Sequence, residues 1–368
     1  MNDVFKTLPA VFAVDDVYQI MVPVNAQCTM WVRVGDEEFY DESNGVLRSN
    51  VLTHRMTVPA ALLNEEKSYT VCYRKIIERK DYWSELEDVV ENTYTFYPVP
   101  EQNCKAYHIA DAHNHFEEPL AALRLYEEKF GKVDFLIMNG DVPDSSAAIR
   151  NFERIYQIAE AMKGERPIIF SRGNHDLRGV MAENLADHTP TDNGNSYFTF
   201  KLGSIFGIVL DCGEDKPDDS IEYGHTICCS AFRKRETKFL KEVMAKKEFE
   251  DEKYKTRLVV SHIPFTRKSK PPFDIEYNTY TEWAKILKEQ YNPTFMLCGH
   301  VHGDFRISRV GSDFDFLGQP CDMVIASHCP NQAVGALGHL GCGIEFNDRG
   351  IFVTPTESVQ GVMETEKI

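Results

Sequence analysis

The sequence predicts an α/β chain in two parts: a small all-β sandwich over residues 1–100, then an α/β domain over residues 101–368 with helices flanking its sheets. Three observations carry this expectation. Short runs of β-forming residues crowd the first hundred positions, with no long helical period among them. Beyond His108 the rhythm becomes apolar strand, loop and helix, repeated. A length of 368 residues also exceeds what one compact core ordinarily organises, which favours two domains.

In the first part, residues 17–22 are rich in β-formers, and residues 28–34 alternate apolar and polar side chains up to a turn at Gly35-Asp36. Segments 54–58, 68–74 and 93–97 follow at the short spacing of a sandwich. Pro98-Val99-Pro100 stiffens the chain and closes this part. In the second part, strands are read at 133–138, 168–170, 205–210, 258–260, 295–297 and 323–326. Helices are read at 120–130, 145–162, 231–249 and 280–290. Pro119 stands where the first helix begins and Gly131 where it ends. Such alternation buries a sheet between helical layers.

Composition narrows the function classes. Hydrophobic residues at 43% and charged residues at 26% describe a globular protein, and no apolar run reaches the length of a membrane span. The first ten residues lack the basic start, apolar middle and cleavage site of a secretory signal, so a cytoplasmic protein without membrane contact is expected. A net charge of −17 argues against binding a nucleic-acid duplex, and any phosphate-bearing substrate requires a local positive centre. The ten cysteines are dispersed, with Cys228-Cys229 the one close pair and no CxxC. They read as small buried hydrophobes in a reducing compartment rather than as disulfides or a thiolate zinc site.

The informative residues stand directly after the strands. Asp111-Ala112-His113 follows His108-Ile109-Ala110, and Asn139-Gly140-Asp141 follows the strand at 133–138. Arg172-Gly173-Asn174-His175-Asp176 follows 168–170, Ser261-His262 follows 258–260, and Gly299-His300-Val301-His302 follows 295–297. Carboxyl ends of strands gather along one edge of an α/β sheet, so these side chains converge in space. Asp, Asn and His offer hard oxygen and imidazole donors suited to Mn, Fe or Zn. Asp111, His113, Asp141, Asn174, His262, His300 and His302 supply enough ligands for two ions about 3.5–4 Å apart that share one carboxylate. Glycines beside Asp141, Asn174 and His300 let the backbone turn tightly at each strand exit.

At these residues the sequence resembles the calcineurin-like metallophosphoesterase family. That family's pattern runs Asp-x-His, Gly-Asp, Gly-Asn-His-Asp/Glu, a lone His, then Gly-His-x-His, and all of it occurs here in order between about residues 106 and 345. The resemblance implies a four-layer fold, a β-sandwich flanked by helices, preceded by the smaller all-β domain. It implies that Asp111, His113 and His302 bind one ion, that Asn174, His262 and His300 bind the other, and that Asp141 bridges them. His175 would be general acid or stabiliser of the transferring phosphoryl group, with Asp176 orienting it. The implied activity is hydrolysis of a phosphate-ester substrate by a hydroxide bridging two metal ions.

Two finer resemblances bear on the branch. Residues 63–69, ahead of a strand, are similar to the late strands of fibronectin type III domains, where a Tyr at the strand start forms a corner with upstream backbone. A sandwich ahead of such a catalytic domain resembles the purple acid phosphatases. This chain departs from them in having His113, no Tyr after Gly140-Asp141, and Asp176 in place of Glu, so a tyrosinate-iron site is not expected. The Gly-Asn-His-Asp form is more similar to the branch with phosphodiesterases than to the Ser/Thr protein phosphatases, so a phosphodiester or small phosphomonoester is the expected substrate. Arg172, Arg178, Arg267 and Lys268 lie near the motifs as possible phosphate contacts or as plain surface charge.

Two other readings compete. A metal-dependent amidohydrolase would use the His-x-His of His113 and His115, but it requires a barrel of eight βα units for which the all-β first hundred residues leave little room. A non-catalytic scaffold of the metallophosphoesterase fold would be expected to lack ligands or the catalytic histidine, and here every one is present.

Overall fold

The computed structural model describes residues 3–312, 314–330 and 337–368. The strands Cys104–Ile109, Phe135–Asn139 and Pro167–Ser171 lie parallel and side by side. Leu340–Asn347 and Gly350–Glu357 extend this sheet antiparallel at one edge. A second sheet pairs Ile205–Leu210, Thr256–Ser261, Phe295–Cys298 and Met323–Ser327 in parallel, bounded by Phe198–Leu202 and Gly303–Ser308.

Strand side chains alternate between faces, and the layers follow from that period. Phe135 and Ile137 enter a central core with Val260, Leu297 and Val324 of the second sheet. Leu136 and Met138 face the helices Glu117–Phe130 and Ile149–Ala159 on the outside. On the far side, Val259 and Met296 pack against Cys229–Lys246 and Tyr277–Ile286 through Leu240 and Trp283. The order is therefore helix, sheet, sheet, helix, as the family resemblance implies. Gly131 caps the first helix, donating its N–H to Glu127, as its position in the sequence predicts.

The first hundred residues are β-rich as expected. Ser68–Arg79 pairs with Cys28–Val34 and Val90–Thr95 in a separate five-stranded sheet. Ala10–Val14, Val17–Pro23 and Thr53–Pro59 instead continue the first catalytic sheet, with Val11 and Phe12 in parallel register against Pro167 and Ile168. The expected tyrosine corner has a different partner. Tyr69 donates its hydroxyl hydrogen to the carbonyl of Gly164, 2.7 Å away and far downstream, rather than to upstream backbone. All ten cysteines are unpaired, and all but Cys228 are buried. No helix among the described residues is long and apolar enough to cross a membrane. The described strands form open sheets, so the barrel of an amidohydrolase is not built, and His115 contacts Glu118 at 3.5 Å instead of joining a ligand cluster.

Candidate metal centre

Each apolar strand stops where its backbone leaves the sheet, and the departure is sharp. Asp111, His113, Asp141, His300 and His302 all adopt left-handed backbone, with φ of 55°, 44°, 53°, 69° and 51°. For residues other than glycine this costs about 1–2 kcal/mol each and persists where surrounding structure enforces it, commonly at functional sites. The enforcement is visible as hydrogen bonds between neighbouring strand ends. Asp111 N–H donates to Gly140, and His113 N–H donates to Asp141, at 3.0 and 2.9 Å.

Glycine is needed here for two reasons. Gly140 has φ 81°, and a Cβ there would sit 2.5 Å from His262 Nδ1. Gly173 has ordinary φ, but a Cβ would fall 2.2 Å from Asp141 Oδ1. The sequence-based expectation of a tight turn therefore holds at Gly140, whereas Gly173 serves close approach.

The predicted ligands gather into two sets. In the first, His302 Nε2 lies 2.8 Å from Asp111 Oδ1 and 3.1 Å from His113 Nε2. In the second, Asn174 Oδ1 lies 2.9 Å from His300 Nδ1, and His262 Nε2 lies 3.1 Å from Asp141 Oδ2. The same Asp141 oxygen is 3.9 Å from His113 Nε2, so Asp141 stands between the sets. Neighbouring donors on one ion at about 2.0–2.2 Å lie about 3 Å apart, which is the spacing seen.

The donor chemistry fits cations. His262 donates Nδ1–H to the carbonyl of Asn139 at 2.7 Å, which leaves Nε2 as the donor atom facing inward. That buried nitrogen faces Asp141 Oδ2 at 3.1 Å, outside good hydrogen-bond geometry. Burial opposes charge on His262, but the Asp141 and Asp111 carboxylates outweigh it and push its pKa up to about 10. Burial likewise opposes ionisation of Asp141, yet His262 holds it down at about 2. Burial lowers His300 to about 4, with His262 adding to the effect. A pair of fully buried carboxylates that forces a proton onto its neighbour is a site built for positive charge.

His175 sits at the edge of this cluster, its ring 4.6 Å from that of His113. Its Nδ1–H donates to the Asp144 carbonyl at 2.8 Å, and its Nε2 accepts from Arg178 Nη1 at 3.1 Å. Asp176 does not orient this ring, contrary to the sequence-based expectation. Its Oδ2 accepts the backbone N–H of Gly173 and of Asp141, at 2.6 and 3.2 Å. Burial and the nearby Asp141 charge raise its pKa to about 7. The short helical turn His175–Leu177 aims the carboxylate inward at its own loop, so its reach is to backbone.

Two participants escaped the sequence reading. Asp144 Oδ1 lies 3.1 Å from His113 Nδ1, the usual carboxylate support of a ligand imidazole. Glu214, fully buried, grips Arg178 with both oxygens at 2.8 and 2.9 Å. The nearest signal for Asp144 was its place three residues past Asp141; Glu214 carried none. Of the possible phosphate contacts, Arg172 is committed to Asp211 at 2.7 Å, and Lys268 lies over the Phe316 ring.

The model of the calcineurin-like phosphoesterase family matches residues 104–304. No curated protein matches the sequence. Among solved structures, the chain is similar to a purple acid phosphatase from yellow lupin seeds at 11% identity and TM-score 0.62, covering 97% of this chain and 73% of that one. It is also similar to GAP50 of Plasmodium at 15% identity and TM-score 0.44, covering 73% of this chain and 89% of that one. A Thermus thermophilus protein is similar at 13% identity and TM-score 0.40, over 72% of this chain and 99% of that one. The lupin likeness concerns the fold, whereas the family model spans more than half of the chain and every motif block above. The chain belongs to the calcineurin-like phosphoesterase family and is a metal-dependent phosphoester hydrolase.

Proposed function

We propose that this chain hydrolyses a phosphodiester or small phosphomonoester with two metal ions. Asp111, His113 and His302 would hold one, and Asn174, His262 and His300 the other, with Asp141 shared. The observation that carries the proposal is Asp141 Oδ2, which faces His262 at 3.1 Å and His113 at 3.9 Å, between the two sets. When bound, such ions supply Lewis acidity and a water acidic enough to ionise near neutral pH.

The chain's own residues do the rest. The ligand carboxylates are buried and backbone-anchored, so they meet the substrate with little reorganisation. His175 and Arg178 form a hydrogen-bonded pair at the edge of the cluster, where they contact phosphoryl or leaving-group oxygens. Glu214 and Asp215 offset the charge of Arg178, so its guanidinium offers hydrogen-bond donors while the metal ions would supply the positive centre that an acidic protein needs for an anion. Asp176 positions the Gly173 and Asp141 backbone and does not touch substrate. The free, buried cysteines support a reducing, cytoplasmic setting.

The test is hydrolysis of bis-p-nitrophenyl phosphate and of p-nitrophenyl phosphate with added Mn²⁺, for wild type, Asp141→Asn and His175→Ala. Metal-dependent turnover that falls at least about a hundredfold in both variants is expected, given what positioned groups contribute. The preferred ester separates diesterase from monoesterase. A metal-loaded protein that cleaves neither returns the scaffold reading, and a protein that binds no metal sinks the mechanism.

A further inference from the structure

The cations around the centre are nearly all engaged. Arg178 is gripped by Glu214, Arg172 by Asp211, and Lys216 lies 3.6 Å from Asp215 and beside Glu222. Arg233 donates Nε–H to the carbonyl of Cys212 at 2.7 Å. Arg267 differs. It is half-buried, and its guanidinium has no hydrogen-bond or ion-pair partner among the described residues. Other cations of this chain also lack an ion pair among the described residues, among them Arg74, Arg150, Lys234 and Lys238, but those stand exposed, whereas Arg267 is half-buried.

Its place gives that burial meaning. Arg267 lines a small pocket together with His300, a candidate ligand of the second ion, and with Asp215. Asp215 is that pocket's acidic side chain, and Arg178 already engages it at 3.1 Å. The remaining walls are largely apolar, among them Phe265, Phe273 and Tyr277. Those walls cost Arg267 solvation, and burial shifts its pKa downward against the opposing pull of the Asp215 charge. A partly desolvated, unpaired guanidinium gains more from an arriving anion than an exposed one does. The segment is also held in shape, since Tyr277 Oη accepts from Ser269 N–H and donates back to the Ser269 carbonyl, at 3.2 and 3.0 Å.

We propose that Arg267 is a specificity-determining residue that binds a second anionic group, phosphate or carboxylate, on a substrate whose reacting phosphoryl group lies at the metal ligands. This rests on the phosphoester reading above and deepens it: the natural substrate carries two anions, one hydrolysed and one held.

The experiment is calorimetric binding of non-hydrolysable probes to the Mn²⁺-loaded full chain, wild type and Arg267→Met. The probes are methylphosphonate with one anion, methylenediphosphonate with two phosphonates, and phosphonoacetate with a phosphonate and a carboxylate. Wild type is expected to bind at least one two-anion probe about tenfold or more tighter than methylphosphonate, the worth of a charged hydrogen bond. R267M should lose that preference while its methylphosphonate affinity stays within about twofold. Which two-anion probe gains tells phosphate from carboxylate. Equal binding of all three probes by wild type overturns the inference, as does a preference that survives in R267M. In both cases methylphosphonate still binds and the phosphoester reading stands. Failure of methylphosphonate to bind, together with no cleavage of the nitrophenyl esters, removes the reading and the inference with it.

Discussion

Asp141 has to face two sets of donors at once, and the residues around it are chosen for that demand. Its backbone N–H is held by Asp176, its Oδ1 accepts from His175 N–H at 2.8 Å, and its Oδ2 is left for the interior. Gly173 makes this possible by having no Cβ. Gly173→Ala would place a methyl group 2.2 Å from Asp141 Oδ1, so the carboxylate or the loop must move. The expected result is loss of at least half the bound metal and a drop in turnover of a hundredfold or so, because a misplacement of about 1 Å costs on that order. Metal analysis of purified G173A beside its kinetics checks both. The ligand residues were legible in the sequence because their types and order are constrained by chemistry. Asp144 was not, because one exposed carboxylate after Val142-Pro143 looks like any loop acid until His113 turns toward it.

At the scale of elements, the connection between Pro167–Ser171 and Phe198–Leu202 shows how a short helix is held against the β-rich part. Leu185–His188 ends in a buried imidazole whose Nδ1 lies 2.7 Å from Thr53 Oγ1, with the ring against Phe152. Burial depresses the His188 pKa to about 4. The unfolded chain would take up this proton near its ordinary pKa of about 6.5. Between those values the unfolded state binds more protons, so stability is retained above about pH 6.5 and lost as pH falls toward 4. His188→Gln should flatten that acid limb by up to about 1.4 kcal/mol per pH unit across the window, read from urea unfolding at several pH values. An identical slope in the variant would show that His188 does not titrate with folding. The main helices and parallel strands were legible because their apolar periods are long and regular. The antiparallel strands Leu340–Asn347 and Gly350–Glu357 were not, since glycines in the first mimic a turn. One of them, Gly343, is small because a Cβ would strike the Tyr126 ring.

Across the whole molecule, the first hundred residues and the catalytic layers share a sheet and a core. Val11, Met30 and Val71 belong to the same buried cluster as Ile137 and Leu297. The hydrogen bond from Tyr69 to Gly164 crosses between them inside that packing. Tyr69→Phe leaves a buried carbonyl unpaired, so it should lower stability by about 1–2 kcal/mol. The urea midpoint should fall with the slope unchanged and the transition single, if both parts unfold together. Two separated transitions in wild type would show that the shared sheet does not couple them.

The sequence by itself determined the layer type, the family and the chemistry of the centre. Hydrophobic period dictates strand and helix, and a metal accepts only a few donor types in few arrangements. Tertiary structure alone decided which groups support those donors, where Asp176 reaches, that Arg267 is half-buried beside His300, and how the first strands join the sheet. Those outcomes depend on contacts between residues far apart in the chain. A single side chain's identity does not reveal which distant backbone or carboxylate the folded layers will set beside it.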